Sequence, residues 1–258
     1  MARKGVIPRR TQSSIALVNG TEYTLVNASP DISQQLLYFG EGTRKRRNPM
    51  DSIILTDAQL DHTLGLLQVR EGEPLNVFAT PLVQYQLTHE FPAVPLLEKY
   101  CSTKFVSIGD SAFSPLPGFT VTPLDITSNS PPYSKYRDKP TPGANLGLII
   151  NDKVLYAPGL LRFTPAILDI VGSMDHVLLD GTCWTSDELG FLNKPNLEDL
   201  GHVSQLDMLN VLSRFTCKKT LIHVNNTNPI NDPESPESEI LRTNGINVAH
   251  DGMEIYLD

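Results

Sequence analysis

Four polar residues, Asp57, Gln59, Asp61 and His62, follow a short apolar run, Ser52-Ile53-Ile54-Leu55, in the frame D-x-Q-x-D-H. In an extended segment, residues two apart project to the same side, so Asp57, Gln59 and Asp61 are expected to face one cavity. The same residue types also solvate loops and cap helices, here a helix beginning near Thr63, and the spacing alone does not decide between the two roles. His223 closes the apolar run Thr220-Leu221-Ile222 and precedes Val224-Asn225-Asn226-Thr227-Asn228-Pro229, a turn-forming and hydrogen-bonding cluster. The C-terminal end of a strand is where α/β proteins place function. His202, after Gly201, suits either a ligand or a proton-transfer group, or else a local hydrogen bond in the turn ahead of a helix. Asp180 ends another apolar run, Leu178-Leu179, as an acid behind the site, with Trp184 nearby as a wall. His89, His176 and His250 stand outside the polar frame at 57–62 and the strand-end cluster at 223–229 and are read as structural.

These residues need strands that end together. Ser13 to Val18 and Tyr23 to Val26 flank Asn19-Gly20, a hairpin signal. Ser52 to Leu55 has the uninterrupted apolar pattern of a strand buried on both faces. Further strands are expected over 77–79, 119–122, 146–150 and 154–156, and helices over 81–90 and 165–171. The last third alternates: strand 176–179, helix 206–215 behind Ser204 as N-cap, strand 220–223, helix 235–243, strand 246–249. Thr127 to Pro142, with four prolines and three serines, reads as a loop. A strand-rich start and an alternating end suggest two sheets packed face to face with helices outside, in a single domain spanning 1–258.

The composition excludes several functions. With 21 Lys and Arg against 29 Asp and Glu, the formal charge of −8 argues against a nucleic-acid footprint or an anionic membrane surface. Arg44-Lys45-Arg46-Arg47 is one local basic run, read as a solvated loop with steering of an anionic substrate as its alternative role. No run of about 18 apolar residues and no charged-then-apolar leader is readable, so a cytoplasmic protein without membrane insertion is expected. Cys101, Cys183 and Cys217 have no CxxC spacing and read as reduced structural thiols.

Seven segments, in order, resemble a known family: Arg10-Thr11-Gln12-Ser13-Ser14; Asn27-Ala28-Ser29-Pro30-Asp31-Ile32; Leu55 to Thr63; Tyr156-Ala157-Pro158-Gly159; Asp180-Gly181-Thr182 with Trp184; Gly201-His202; and Leu221 to Pro229. Together they look like the coenzyme PQQ synthesis protein B family, a variant of the metallo-β-lactamase superfamily. The resemblance implies an α/β (α+β) fold, the four-layer αββα sandwich. The superfamily's H-x-H-x-D-H motif is altered as in that family, with Asp57 and Gln59 in place of its two leading histidines. Asp125-Ile126-Thr127-Ser128-Asn129-Ser130 offers no third histidine, and Val154-Leu155-Tyr156 leads into Ala157-Pro158-Gly159 without the bridging aspartate. What the resemblance leaves is one metal site of Asp61, His62 and His223. Two imidazoles and one carboxylate with open positions suit mononuclear Fe(II) and O₂ chemistry, whereas a dinuclear zinc hydrolase needs the missing histidines. The implied role is an oxidoreductase of pyrroloquinoline quinone biosynthesis, an Fe(II) hydroxylase of the tyrosine ring in the excised, cross-linked Glu-Tyr precursor. Asp57, Gln59, Asp180 and His202 would orient ligands or move protons. The divalent site would take Fe(II) in the active form and zinc or copper on isolation, since mixed N/O ligation follows the Irving–Williams order. Two other roles stay open: a carrier of PQQ or its precursor towards the periplasm, and a zinc hydrolase working through His202. Family members usually begin with a glycine-rich strand end and a cysteine cluster. A first strand and a cysteine-bound structural metal are therefore expected to be absent from this chain, and with them part of the site wall.

Overall fold

Strand pairing in the computed structural model follows the pattern of β-branched and apolar runs along the chain. It describes residues 7, 9–40, 50–70, 74–126, 128–190 and 197–257, so the Arg44-Lys45-Arg46-Arg47 run lies outside the described residues. Chain contacts gather into two units, one of residues 11–125 and 129–146, the other built chiefly from residue 147 onward.

The first unit opens on the hairpin expected at Asn19-Gly20. Strand β1 (Ile15–Asn19) pairs antiparallel with β2 (Glu22–Val26), Asn19 opposite Glu22, and Gly20 turns the chain at a φ of 62°. Strands β3 (Met50–Ile54), β4 (Leu75–Ala79) and β5 (Thr103–Ser107) then add in parallel, in the order β1-β2-β3-β4-β5. Strand β3 is flanked on both sides, and Ile53 and Ile54 are wholly buried, as its apolar pattern requires. The core beneath holds Tyr23, Leu25, Ile53, Leu55, Val77 and Leu87, each large side chain contributing about 1.5–3 kcal/mol by leaving water. The helix expected over 81–90 forms as Pro81–Tyr85, capped by Thr80 accepting from Val83 N, and continues as a π-helical turn over Gln86–Glu90. Strand β6 (Val121–Asp125) begins two residues later than its apolar pattern suggested.

In the second unit, β7 (Leu146–Ile150) and β8 (Val154–Ala157) form an antiparallel pair, and β9 (His176–Asp180), β10 (Lys218–Ile222) and β11 (Ile246–Val248) follow in parallel, ordered β11-β10-β9-β8-β7. Helices Pro165–Ser173, Gln205–Leu212 and Pro236–Thr243 connect them. The N-caps Thr164, Ser204 and Ser235 accept from Ile167, Asp207 and Ser238 N–H groups. Ile222 lies opposite Asp180 in the β9/β10 register, which brings Asp180 and His223 to one edge of the sheet. Among the described residues, no helix is long and apolar enough to cross a membrane.

Candidate functional site

The first unit brings Asp57, Asp61 and His62 together at the end of β3, though not as an extended segment would. A helical turn begins at Leu60 and ends at Thr63, so the expectation that Asp57, Gln59 and Asp61 share one face by strand alternation is corrected. Turn geometry folds His62 back on Asp57 instead. His62 Nδ1 lies 2.9 and 2.8 Å from the two oxygens of Asp57, and both side chains are about 95% buried. His62 Nε2 faces Asp61 Oδ2 at 3.8 Å, with the Asp61 side chain 41% exposed. Asp57 also accepts from Gln59 N (2.9 Å) and Thr56 Oγ1 (2.8 Å). Burial by itself pushes the Asp57 carboxyl up, and nearby Asp61 adds to that. The His62 imidazole and the hydrogen bonds from His62 and Gln59 outweigh both and hold Asp57 below the usual 3.8.

Hydrogen bonds from two sides fix this turn in place. Asn27, at a φ of 67°, accepts from the N–H of Thr56 at 3.0 Å, and its Oδ1 also lies 3.0 Å from the Thr56 hydroxyl, whose one proton goes to Asp57. Ala28 N donates to His62 O at 2.7 Å, and Gly65 N to Ala28 O at 2.9 Å. A Cβ on Gly65 would stand 2.2 Å from Ser29 O, so only glycine permits this approach. From the other side comes the proline-rich loop. Tyr133 OH donates to Ala58 O at 2.5 Å and the Gln59 amide to Asn129 O at 3.3 Å, while Leu146 N, at the start of β7, donates to Thr56 O at 2.8 Å. The Gln59 side chain is thus spent on the loop in this structure. Burial, then Asp57 and Glu90, raise Tyr133 above its ordinary value and keep it a neutral donor.

The second unit brings Asp180, His202 and His223 together, with one ligand-type atom of each lying within 4.8 Å of the others. Asp180 is fully buried at the end of β9; its Oδ2 lies 2.5 Å from His202 Nδ1, and its Oδ1 accepts from Thr182 N (2.8 Å) and Thr182 Oγ1 (2.5 Å). Thr182 Oγ1 lies 2.9 Å from His223 Nδ1. The rings of His202 and His223 stack at 5.3 Å and 26°. His223 adopts a φ of 64°, a backbone conformation sparsely used by residues other than glycine. Gly181 N donates to Ile222 O at 2.6 Å, and a Cβ on Gly181 would stand 2.8 Å from that oxygen. Glycine at 181 therefore lets the Asp180 turn lie against the strand that carries His223.

The histidines read as structural lie outside these clusters. His176 is buried against Thr220 at 2.8 Å, and His89 stacks on Tyr85. Trp184 is buried, and all three thiols are free. Burial, then Glu188 and Asp180, pushes the Cys183 thiol up to about 12, so it is no nucleophile at neutral pH. Residue type and spacing assign no role to Thr56, Asn27, Tyr133 or Thr182. Of these only Thr182 carried a signal, a hydroxyl two residues beyond a strand-ending aspartate, the spacing at which an aspartate bonds its own turn.

Sequence comparison places this geometry among known proteins. Coenzyme PQQ synthesis protein B of Acinetobacter baumannii (strain SDF) is 42% identical over 96% of this chain and 88% of its own length. The chain belongs to the coenzyme PQQ synthesis protein B family. The Cupriavidus necator protein of the same name is 43% identical over 96% of the chain and 88% of its own length. A β-lactamase superfamily domain matches residues 23–224. Zinc-bound PqqB from Methylobacterium extorquens superposes with a TM-score of 0.88 at 27% identity, covering 99% of this chain and 91% of that one. The fold is accordingly the metallo-β-lactamase fold that the sequence resemblance implied.

Proposed function

We propose that the chain is a metal-dependent enzyme of PQQ biosynthesis that hydroxylates the tyrosine ring of the cross-linked Glu-Tyr precursor, with Asp61, His62 and His223 holding one divalent ion. Membership of the coenzyme PQQ synthesis protein B family supports the pathway, and a zinc-bound relative supports a divalent metal. One local observation carries the ligand assignment: a buried imidazole with Nδ1 gripped by both oxygens of Asp57 and Nε2 turned towards Asp61. A carboxylate on one ring nitrogen fixes the tautomer and makes the other nitrogen the better donor, the usual outer support of a metal-bound histidine. The donor set of imidazole nitrogen and carboxylate oxygen without thiolate fits a divalent first-row ion.

Bound Fe(II) would supply activation of O₂ at positions left open by three protein ligands, one oxygen atom entering the ring and the other leaving as water with two electrons from an external reductant. The protein's own part is orientation and proton movement. Asp57 keeps His62 from rotating, and the His62 imidazole, with the Gln59 N–H, keeps Asp57 ionised. The His202 Nδ1–H donates to Asp180, which leaves His202 Nε2 as the atom that takes up or returns a proton. The precursor binds as a small molecule, and no nucleic-acid or membrane partner is invoked.

The test is turnover by iron-loaded protein with the cross-linked precursor, an added two-electron reductant such as ascorbate and isotopically labelled O₂, read by mass spectrometry. Incorporation of labelled oxygen into the tyrosine ring, absent without O₂, is the expected result. Stoichiometric binding without turnover would favour a carrier, and product formation by the zinc form under strict anaerobiosis a hydrolase; either overturns the hydroxylase assignment.

A further inference from the structure

We infer that Thr182 is a positioning residue whose hydroxyl sets the tautomer of His223 and so decides which ring nitrogen that histidine offers to a metal. The inference rests on the reading of His223 as a ligand, but its first consequence can be observed without any metal. The Thr182 hydroxyl has one proton and four polar neighbours: Asp180 Oδ1 at 2.5 Å, His223 Nδ1 at 2.9 Å, and His202 Nδ1 and His223 O at 3.2 Å. A carboxylate oxygen only accepts, and charge-assisted hydrogen bonds are the shorter and stronger ones, so the proton goes to Asp180. That leaves Thr182 Oγ1 as an acceptor. Asp180 Oδ2 already takes the His202 Nδ1–H, at 2.5 Å. The remaining close donor for Thr182 is His223 Nδ1, which must then carry a hydrogen, and a neutral imidazole protonated at Nδ1 presents its lone pair at Nε2.

The geometry is held stiffly enough for this bookkeeping to matter. Thr182 N donates to the same Asp180 oxygen, fixing the turn, and the β-branched side chain restricts χ1. Gly181 N donates to Ile222 O, tying the turn to the residue before His223. One buried carboxylate therefore orients both imidazoles through Nδ1, His202 directly and His223 through a hydroxyl. This is the same device as Asp57 on His62, with one hydroxyl inserted.

Nitrogen NMR of the metal-free protein reads the tautomer directly, and competition with a chromophoric chelator reads zinc affinity. The expected results are the Nδ1–H tautomer of His223 in the parent, loss of that preference in Thr182→Val, and its retention in Thr182→Ser. Zinc affinity should fall about 10- to 100-fold in Thr182→Val, the range for lost outer partners, and recover to within a few-fold in Thr182→Ser. An Nε2–H tautomer in the parent, which needs no variant to detect, overturns the inference. So does a Thr182→Val protein with an unchanged tautomer. A shifted tautomer with unchanged zinc affinity upholds Thr182 as the positioning group and refutes His223 as a ligand.

Discussion

Replacing Asp57 by Asn keeps the shape of the side chain and removes its charge. In the parent, the two carboxylate oxygens accept from Gln59 N, Thr56 Oγ1 and His62 Nδ1. An amide can keep one oxygen on Gln59 N and turn its NH₂ to Thr56, whose hydroxyl has Asn27 Oδ1 at 3.0 Å as a second acceptor. What the variant loses is the charge-assisted bond to the imidazole, worth about 1.5–3 kcal/mol, partly offset by no longer burying an ion. The carboxyl lies below its usual value in the folded protein, so the environment as a whole favours the ionised form and the net change at pH 7 is destabilising, by about 1–2 kcal/mol. Asp57→Ala, which strands the His62 and Gln59 donors, should cost about 2–5 kcal/mol. A carboxyl with a lowered folded value contributes its stability above the unfolded value, about 3.9, and loses it as pH falls through the folded value. Urea unfolding at a series of pH values should therefore show a gap between parent and Asp57→Asn that is constant above about pH 5 and narrows below about pH 4. A gap that widens on acidification, or an Asn variant as stable as the parent at pH 7, would refute the reasoning.

Gly65→Ala forces a Cβ to within 2.2 Å of Ser29 O and must shift the turn that carries His62; a loss of about 3 kcal/mol or more is expected in urea unfolding. Gly181→Ala meets Ile222 O at 2.8 Å and should cost about 1–3 kcal/mol, with weaker zinc binding by chelator competition because His223 follows directly. Tyr133→Phe removes the bond to Ala58 O and should cost about 1 kcal/mol. In an absorbance titration, Tyr133→Phe should remove one phenol that ionises above the ordinary tyrosine range.

Where periodicity and caps govern, the fold could be read before the structure. Asn19-Gly20 located the hairpin, Ser204 and Ser235 the starts of two helices, and the apolar run at 52–55 a strand buried on both faces. Strand β5, Thr103–Ser107, escaped because its burial alternates weakly at the edge of its sheet and Lys104 interrupts the apolar pattern. The segment after β3 was misjudged for a different reason. Its polar spacing at 57, 59 and 61 satisfies strand alternation, but His62 O and Gly65 N both bond to Ala28, and that long-range docking winds the chain into a turn. The metal-motif residues announced themselves by type. Of their supports, Thr182 showed only its spacing from Asp180, while Thr56, Asn27 and Tyr133 showed nothing, because they act through hydrogen bonds to partners as far as 75 residues away.

Zinc stoichiometry and affinity, measured by chelator competition on the parent and on Asp61→Ala, His62→Ala, His223→Ala, Asp57→Ala and His202→Ala, test the single-site assignment most directly. One ion per parent chain is expected, with binding largely abolished in the first three variants, weakened about 10- to 100-fold in Asp57→Ala, and retained in His202→Ala. Two ions per chain, or losses in Asp57→Ala or His202→Ala as complete as in His223→Ala, would contradict a single site of Asp61, His62 and His223.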